Sequence, residues 1–243
     1  MITAIVIPAR FAATRLPGKP MRVIAGKTMI QRVYEKAAAV KEADFVVVAT
    51  DHQGIYDNVK SFGGQVIMTS PHHQTGTDRI AEVAKQIKCD IIVNVQGDEP
   101  LIKSETIALC AKPLIKNSNE VMATLKHKLF SQEEIQNPNF VKVITDKNDY
   151  AIYFSRFAIP FARNDCGFQY FKHIGIYAYR KDFLLQYAQM PQTLLEKSES
   201  LEQLRAIENG YRIKVLETED IPMGIDTEDD LKKVQAILEK QER

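Results

Sequence analysis

Ile2-Thr3-Ala4-Ile5-Val6-Ile7-Pro8-Ala9-Arg10 opens the chain with a short apolar run broken by a proline and followed at once by a cation. Ile2, Ala4, Ile5, Val6 and Ile7 read as a buried strand that ends at Pro8. Working outward, the same kind of run recurs at Phe45–Ala49, Gln65–Met68 and Ile91–Val95. Between these runs the apolar residues take helical spacing. Met29 to Val40 carries Met29, Ile30, Val33, Ala37 and Val40; Gln53 to Phe62 stops at Gly63-Gly64. Thr77 to Lys88 places Ile80, Val83, Ala84 and Ile87 on one face, with Thr77 or Asp78 expected as its cap, and Glu105 to Ile115 follows. Near-continuous apolar strands alternating with amphipathic helices predict an α/β fold with a mostly parallel sheet covered on both faces. Ligands of such sheets bind beyond the carboxyl ends of the strands.

Three polar clusters stand at those ends. After the first strand, Arg10, Arg15 and Lys19 fall within ten residues on a backbone fixed by Pro8, Pro17, Gly18 and Pro20. Three cations on a bent loop suit a polyanion such as a triphosphate; the alternative is a solvated basic surface. Thr50-Asp51 follows the second strand. After the fourth, Gln96-Gly97-Asp98-Glu99-Pro100 offers carboxylates of the kind that hold Mg²⁺ together with substrate phosphates. Pro100 and the gap to Glu105 make a helix cap a poorer account of Asp98 than metal binding. Gly97 would let backbone approach a ligand closely.

In the second half, Val121–Lys126, Val141–Thr145, His173–Tyr179 and Ile213–Glu217 read as strands. Phe183–Met190, Glu199–Gly210 and Thr227–Gln241 read as helices, and Ser155 to Gly167 as loop. One domain over residues 1–243 is expected. Residues near 127–190 would form a β-rich extension, whose exposed aromatics would suit a partner subunit. Thr227 caps the last helix and Glu228 to Asp230 complement its dipole, so only Asp226, before the cap, is left as a second candidate ligand. His72-His73 reads as a surface pair and Lys126-His127-Lys128 as a solvated turn. The polar residues of Glu202-Gln203-Leu204-Arg205 read as an exposed helix face. Arg156 could grip a carboxylate with both arms, and His173 fits either a packed strand or a site.

The net charge of +1 gives no bulk attraction to nucleic acid or membrane. Cys89, Cys110 and Cys166 are odd in number and widely spaced, which argues against a disulfide framework or a zinc site. No stretch is apolar enough for membrane insertion or a leader, so a cytoplasmic location is expected.

Taken in order, Ile7-Pro8-Ala9-Arg10 through Lys19-Pro20, Ala49-Thr50-Asp51, His73 through Arg79, Asn94 through Pro100, Tyr153-Phe154-Ser155-Arg156, Lys172 through Tyr177, Leu201 through Arg205 and Gly224-Ile225-Asp226-Thr227 resemble the 3-deoxy-manno-octulosonate (Kdo) cytidylyltransferases. The resemblance runs from end to end. It implies a Rossmann-like nucleotide-diphosphosugar transferase fold, transfer of CMP from CTP to Kdo for lipopolysaccharide or capsule, Mg²⁺ as cofactor, and a homodimer built on the β-rich extension. It implies Ala9, Arg10, Arg15, Lys19, Gln74, Gly76 and Arg79 around the nucleotide, with Arg15, Lys19 and Asp98 catalytic. Asp98 and Asp226 would hold the metal. Gln96, Arg156, His173, Tyr177, Glu202 and Gln203 would contact the sugar acid. A related sugar acid, 8-amino-Kdo or sialic acid, is the alternative substrate; Phe161 to Phe171, short and without a match to a longer sugar-contacting stretch, bears on that choice, 8-amino-Kdo included. No side chain stands out as a general base.

Overall fold

The computed structural model describes residues 1–11 and 16–241. The described residues of 1–108 and 222–241 form one compact unit and those of 109–221 a second.

The first unit opens with β1 (Thr3–Ala9), a 3-10 turn (Lys19–Met21) and a small hairpin of β2 (Val23–Ile24) and β3 (Lys27–Thr28). It continues through α1 (Met29–Ala38), β4 (Phe45–Thr50), α2 (Gln53–Ser61), β5 (Val66–Met68), α3 (Gly76–Gln86) and β6 (Ile91–Asn94). The larger strands lie in the order β6-β1-β4-β5, all parallel. Both faces are covered, so β1, β4 and β6 can be apolar almost throughout: Ala4 to Ile7, Val46 to Ala49 and Ile91 to Val93 are all buried. The buried face of α1 is Met29, Ile30, Val33 and Ala37, the spacing expected.

Pro8 does not end the first strand. β1 runs on through Pro8 to Ala9, paired with Ala49 and Thr50 of β4. The carbonyl of Val6 accepts from Val95 on the β6 side, where register ends at Val6↔Asn94. Two residues on, Pro8 faces the same side, past the last pair, so its missing N–H costs the ladder nothing. The cap of α3 is also shifted. Thr75, not Thr77 or Asp78, caps it, in a reciprocal box with Asp78 at the third helical position.

The chain passes to the second unit inside α4 (Ser104–Lys116). There follow β7 (Met122–Lys128), α5 (Gln132–Gln136), β8 (Lys142–Thr145), β9 (Ala151–Ser155), β10 (Phe171–Arg180), α6 (Lys181–Tyr187), α7 (Leu194–Glu199), α8 (Leu204–Glu208) and β11 (Lys214–Glu217). β7 lies between antiparallel β10 and parallel β11, and β8 pairs antiparallel with β9. Lys126-His127-Lys128 belongs to β7 rather than to a solvated turn, with Lys126 and His127 buried. The helix expected over Glu199–Gly210 is confined to α8: Glu199 is the last residue of α7, a turn intervenes with Ser200 at φ 51°, and α8 begins only at Leu204.

The chain returns to the first unit for α9 (Glu228–Gln241). Leu231, Val234 and Leu238 pack with Leu16, Ile24, Met29 and Ile225. Thr227 caps it as expected, accepting from the amide of Asp230.

Candidate functional site

A cleft of about 330 Å³ opens at the carboxyl ends of β1 and β6, lined by Pro8, Ala9, Arg10, Lys19, Pro20, Gly76, Gln96, Gly97 and Asp98. Six of these are residues expected from sequence: Ala9, Arg10, Lys19, Gly76, Gln96 and Asp98. The volume lies at the small end of the usual range for ligand sites, about 300–1,000 Å³.

Each wall has a local cause. The loop after β1 closes where the Gly18 amide donates to the Phe11 carbonyl, with Gly18 in the left-handed region at φ 66°. Phe11 in turn stacks on His52 at 4.0 Å. Arg10 reaches across to the His73 carbonyl at 2.7 Å. Burial, and next the nearby charge of Arg79, lower the affinity of Arg10 for its proton. Gly97 is required, but by the protein itself: a Cβ there would stand 2.9 Å from the Pro8 carbonyl oxygen.

Lys19 is the centre of the charge arrangement. Its ammonium donates to Asp98 Oδ2 at 2.6 Å and to Asp226 Oδ1 at 3.0 Å, joining residues 79 and 207 positions apart. Asp98 is not a helix cap, since α4 begins only at Ser104, and its carbonyl accepts from Ile225, which fixes Asp226 nearby. Two carboxylate oxygens aimed at one cationic point form a donor set that suits a hard divalent ion completed by phosphate oxygens. Among the described residues no group of three or more His, Cys, Asp or Glu side chains could hold a metal by itself.

Other expected nucleotide residues sit elsewhere. Arg15 lies outside the described residues. Gln74 is exposed, its amide on the His72 carbonyl. Arg79 is fully buried, bonded at 2.5 Å to both Asp51 and Thr69. Its charge lies close enough to Arg10 to weaken that residue's hold on its proton; Asp51, its partner, was visible in the sequence only as a polar residue at a strand end. His73, expected at the surface, is half-buried and bonded to Glu82, which also accepts from the Ser70 amide.

The residues expected at the sugar acid divide between the units. Gln96 is in the first; Arg156, His173, Tyr177, Glu202 and Gln203 are in the second. Arg156 gives three of its five N–H groups to the carbonyls of Glu199 (2.8 Å), Pro138 (3.2 Å) and Ser200 (3.4 Å). His173 is buried on β10, its ring 5.0 Å from Phe154 and 5.4 Å from Tyr177. The Glu202-Gln203 turn is not a solvated face. Gln203 is buried, and its Nε2 has no hydrogen-bond partner among the described residues. Beneath the turn, Arg205 makes a buried two-bond pair with Glu196 at 2.8 and 2.5 Å. The Tyr187 hydroxyl donates to the Glu202 carbonyl at 2.6 Å. Glu196 and Tyr187 escaped the sequence reading and Arg205, expected on an exposed face, is buried, because no pattern distinguishes a paired internal charge from a solvated one.

A parallel sheet with basic and acidic side chains gathered at its strand ends is the layout of a nucleotide-handling α/β enzyme, and the chain belongs to the cytidylyltransferase family, whose pattern matches residues 4–221. Within that family it is 54% identical over 230 residues to the 3-deoxy-manno-octulosonate cytidylyltransferase of Fusobacterium nucleatum, covering 94% of each chain. It is 51% identical over 246 residues to the enzyme of that name from Syntrophotalea carbinolica, covering 98% of each. Among solved structures it superposes on a CMP:2-keto-3-deoxy-manno-octonic acid synthetase complexed with CTP, with a TM-score of 0.96 and 42% identity over 99% of this chain and 100% of that one.

Proposed function

We propose that this protein transfers CMP from CTP to the anomeric hydroxyl of Kdo, releasing pyrophosphate, in the supply of activated sugar for lipopolysaccharide. The observation that carries the reading is the cleft at the ends of β1 and β6, where Arg10 and Lys19 stand opposite Asp98 and Asp226. It is supported by relatives of the same name at over half identity across nearly the whole chain.

In this reading Arg10, Lys19 and Arg15 bind the triphosphate, and Ala9, Gly76, Gln74 and Arg79 surround the nucleoside. The hydroxyl attacks the α-phosphorus and the β,γ-pyrophosphate leaves. Two anions must approach and charge grows on the leaving group, so the work of the protein is positioning and charge stabilisation. Asp98 and Asp226 would hold Mg²⁺, which when bound neutralises phosphate charge and lowers the pKa of the attacking hydroxyl. Arg156, His173, Tyr177, Glu202 and Gln203 recognise the sugar acid. The unpaired Nε2 of Gln203 has a donor to offer an oxygen of that substrate. Burial holds the His173 ring in its neutral form.

Among the described residues no helix is long and apolar enough to cross a membrane, and a cytoplasmic enzyme fits the reaction's soluble substrates. Phe130, Phe157 and Phe161, at 76%, 72% and 84% exposure, would be covered in a homodimer.

Pyrophosphate release with each nucleoside triphosphate against Kdo, 8-amino-Kdo and sialic acid tests the proposal. Turnover with CTP and Kdo is expected to exceed every other pair. A clear preference for another sugar acid would replace the substrate, and silence with all pairs would reject the enzyme.

A further inference from the structure

β10 does not pair evenly with β7. Ile174 stands opposite Leu125, but the next pair is Tyr177 with Thr124, so Gly175 and Ile176 are extra on β10. Such bulges re-aim side chains and recur beside functional sites. Thr124 fills this one. Its Oγ1 lies 3.1 Å from the carbonyl oxygen of Ile174, 2.7 Å from that of Ile176 and 2.9 Å from Nε2 of His173. Thr124 is fully buried and His173 nearly so.

A hydroxyl has one proton to give and two lone pairs with which to accept. Two of its three neighbours here are carbonyls, which only accept. Were the Thr124 proton given to Nε2, the lone pairs of the hydroxyl would face two carbonyl oxygens at 2.7 and 3.1 Å, which repel them; the proton therefore goes to a carbonyl, and the Ile176 oxygen is the nearer. The hydroxyl can then only accept from the histidine, so Nε2 carries the ring proton. Nδ1 is left bare, as an acceptor with no partner among the described residues.

We propose that Thr124 is a positioning residue for sugar recognition: held by the bulge carbonyls, it fixes His173 as the Nε2–H tautomer and so presents Nδ1 to a hydroxyl of the sugar acid. This rests on the reading of His173 as a sugar contact. It assigns a role to a residue that touches no substrate, and gives the bulge a reason to exist.

The experiment pairs spectroscopy with kinetics. In protein labelled with ¹⁵N-histidine, long-range ¹H–¹⁵N correlation at neutral pH, assigned by the loss of signals in His173→Gln, is expected to show a neutral ring protonated on Nε2. A ring protonated on Nδ1, or on both nitrogens, would overturn the proposal whatever the kinetics. Thr124→Val keeps the side-chain shape but removes the hydroxyl. It is expected to raise the KM for Kdo roughly five- to tenfold, the worth of one hydrogen bond, with the Kd for CTP within about twofold. Thr124→Ser, which restores the hydroxyl, should recover most of the loss. A folded Thr124→Val protein with an unchanged KM for Kdo would defeat the proposal. So would a Thr124→Ser protein as impaired as the valine variant. If Thr124→Val does not fold, the wild-type tautomer and the serine variant decide. A His173→Ala protein with an unchanged KM for Kdo would instead remove His173 from sugar binding, a failure of the underlying reading that the tautomer measurement keeps separate.

Discussion

Lys19 occupies, as a cation, the point on which both proposed metal ligands converge. For Mg²⁺ to bind there the ammonium must give up its two carboxylates, so removing the ammonium should tighten metal binding in the absence of nucleotide. The contacts are 2.6 Å to Asp98 and 3.0 Å to Asp226. In a water-like dielectric each is worth about 1.5 kcal/mol. The carboxylate side chains are 36% and 47% exposed. Solvent and salt therefore screen the pair, leaving about 1–3 kcal/mol to be surrendered. Lys19→Met, which keeps the aliphatic stem, is then expected to bind Mg²⁺ roughly ten- to a hundredfold more tightly than wild type. Calorimetric titration of nucleotide-free protein with MgCl₂ reads this directly, and Mn²⁺ paramagnetic resonance gives an independent measure. Asp98→Asn in the same background should abolish the gain. The same Lys19→Met variant should bind CTP less well, having lost a phosphate partner. Metal affinity that is unchanged or weaker in Lys19→Met, with Asp98 still required, would refute the idea that the lysine and the metal compete.

Three further outcomes follow from buried groups. Arg205→Met leaves Glu196, 5% exposed in its side chain, charged and unpaired; urea unfolding should show a loss of about 3–5 kcal/mol, and the double variant Glu196→Leu/Arg205→Met should recover part of it. An Arg205→Met protein as stable as wild type would mean the pair is not the anchor of the Glu202-Gln203 turn. Gly97→Ala sets a methyl 2.9 Å from the Pro8 carbonyl oxygen, so β1 and β6 must shift at a cost of about 1–3 kcal/mol. Weaker CTP binding should accompany that loss, and wild-type values for both would contradict the contact. His173 titrates at about 3 instead of 6.5, because burial disfavours the charged ring and Lys172 adds to this. The unfolded chain takes up a proton that the folded one refuses, so this contribution to stability is complete above pH 6.5 and declines as pH falls toward 3. The decline is at most about 1.4 kcal/mol per pH unit. His173→Gln should flatten that part of the urea-midpoint profile, and an identical slope would count against the buried neutral ring.

The parallel half of the fold was legible because burial on both faces leaves a strand no polar positions. Ile91-Ile92-Val93, between Asp90 and Asn94, has no other reading. Helices α1 and α2 were equally plain from spacing and from Gly63. Pro8 shows where that reasoning stops. A proline ends a strand only when its missing N–H points at a neighbour, and which side it faces follows from pairing that a sequence does not display. Glu199–Gly210 failed for a related reason: the apolar spacing of Leu201, Leu204 and Ile207 is helical, yet Ser200 in the left-handed region breaks the helix before it.

The cleft at the strand ends and the residues proposed for the sugar acid differ in legibility because they use charge differently. Arg10, Lys19 and Asp98 follow strand ends directly, and a polar cluster at that position of a parallel sheet has few structural reasons to be there. Thr124, His173, Glu196 and Arg205 sit inside strands and short helices, where a polar residue reads as exposed unless its partner is known. The partners are 49 residues apart for Thr124 and His173, and 9 for Glu196 and Arg205. Their meeting depends on two extra residues in β10 and on one left-handed serine. A single residue added to or removed from that bulge would turn Thr124 away from one of its carbonyls and free its proton for the histidine, with no change of any site residue. The placing of these groups in the second unit therefore depends on register as much as on composition, and register is set by pairing rather than by local pattern.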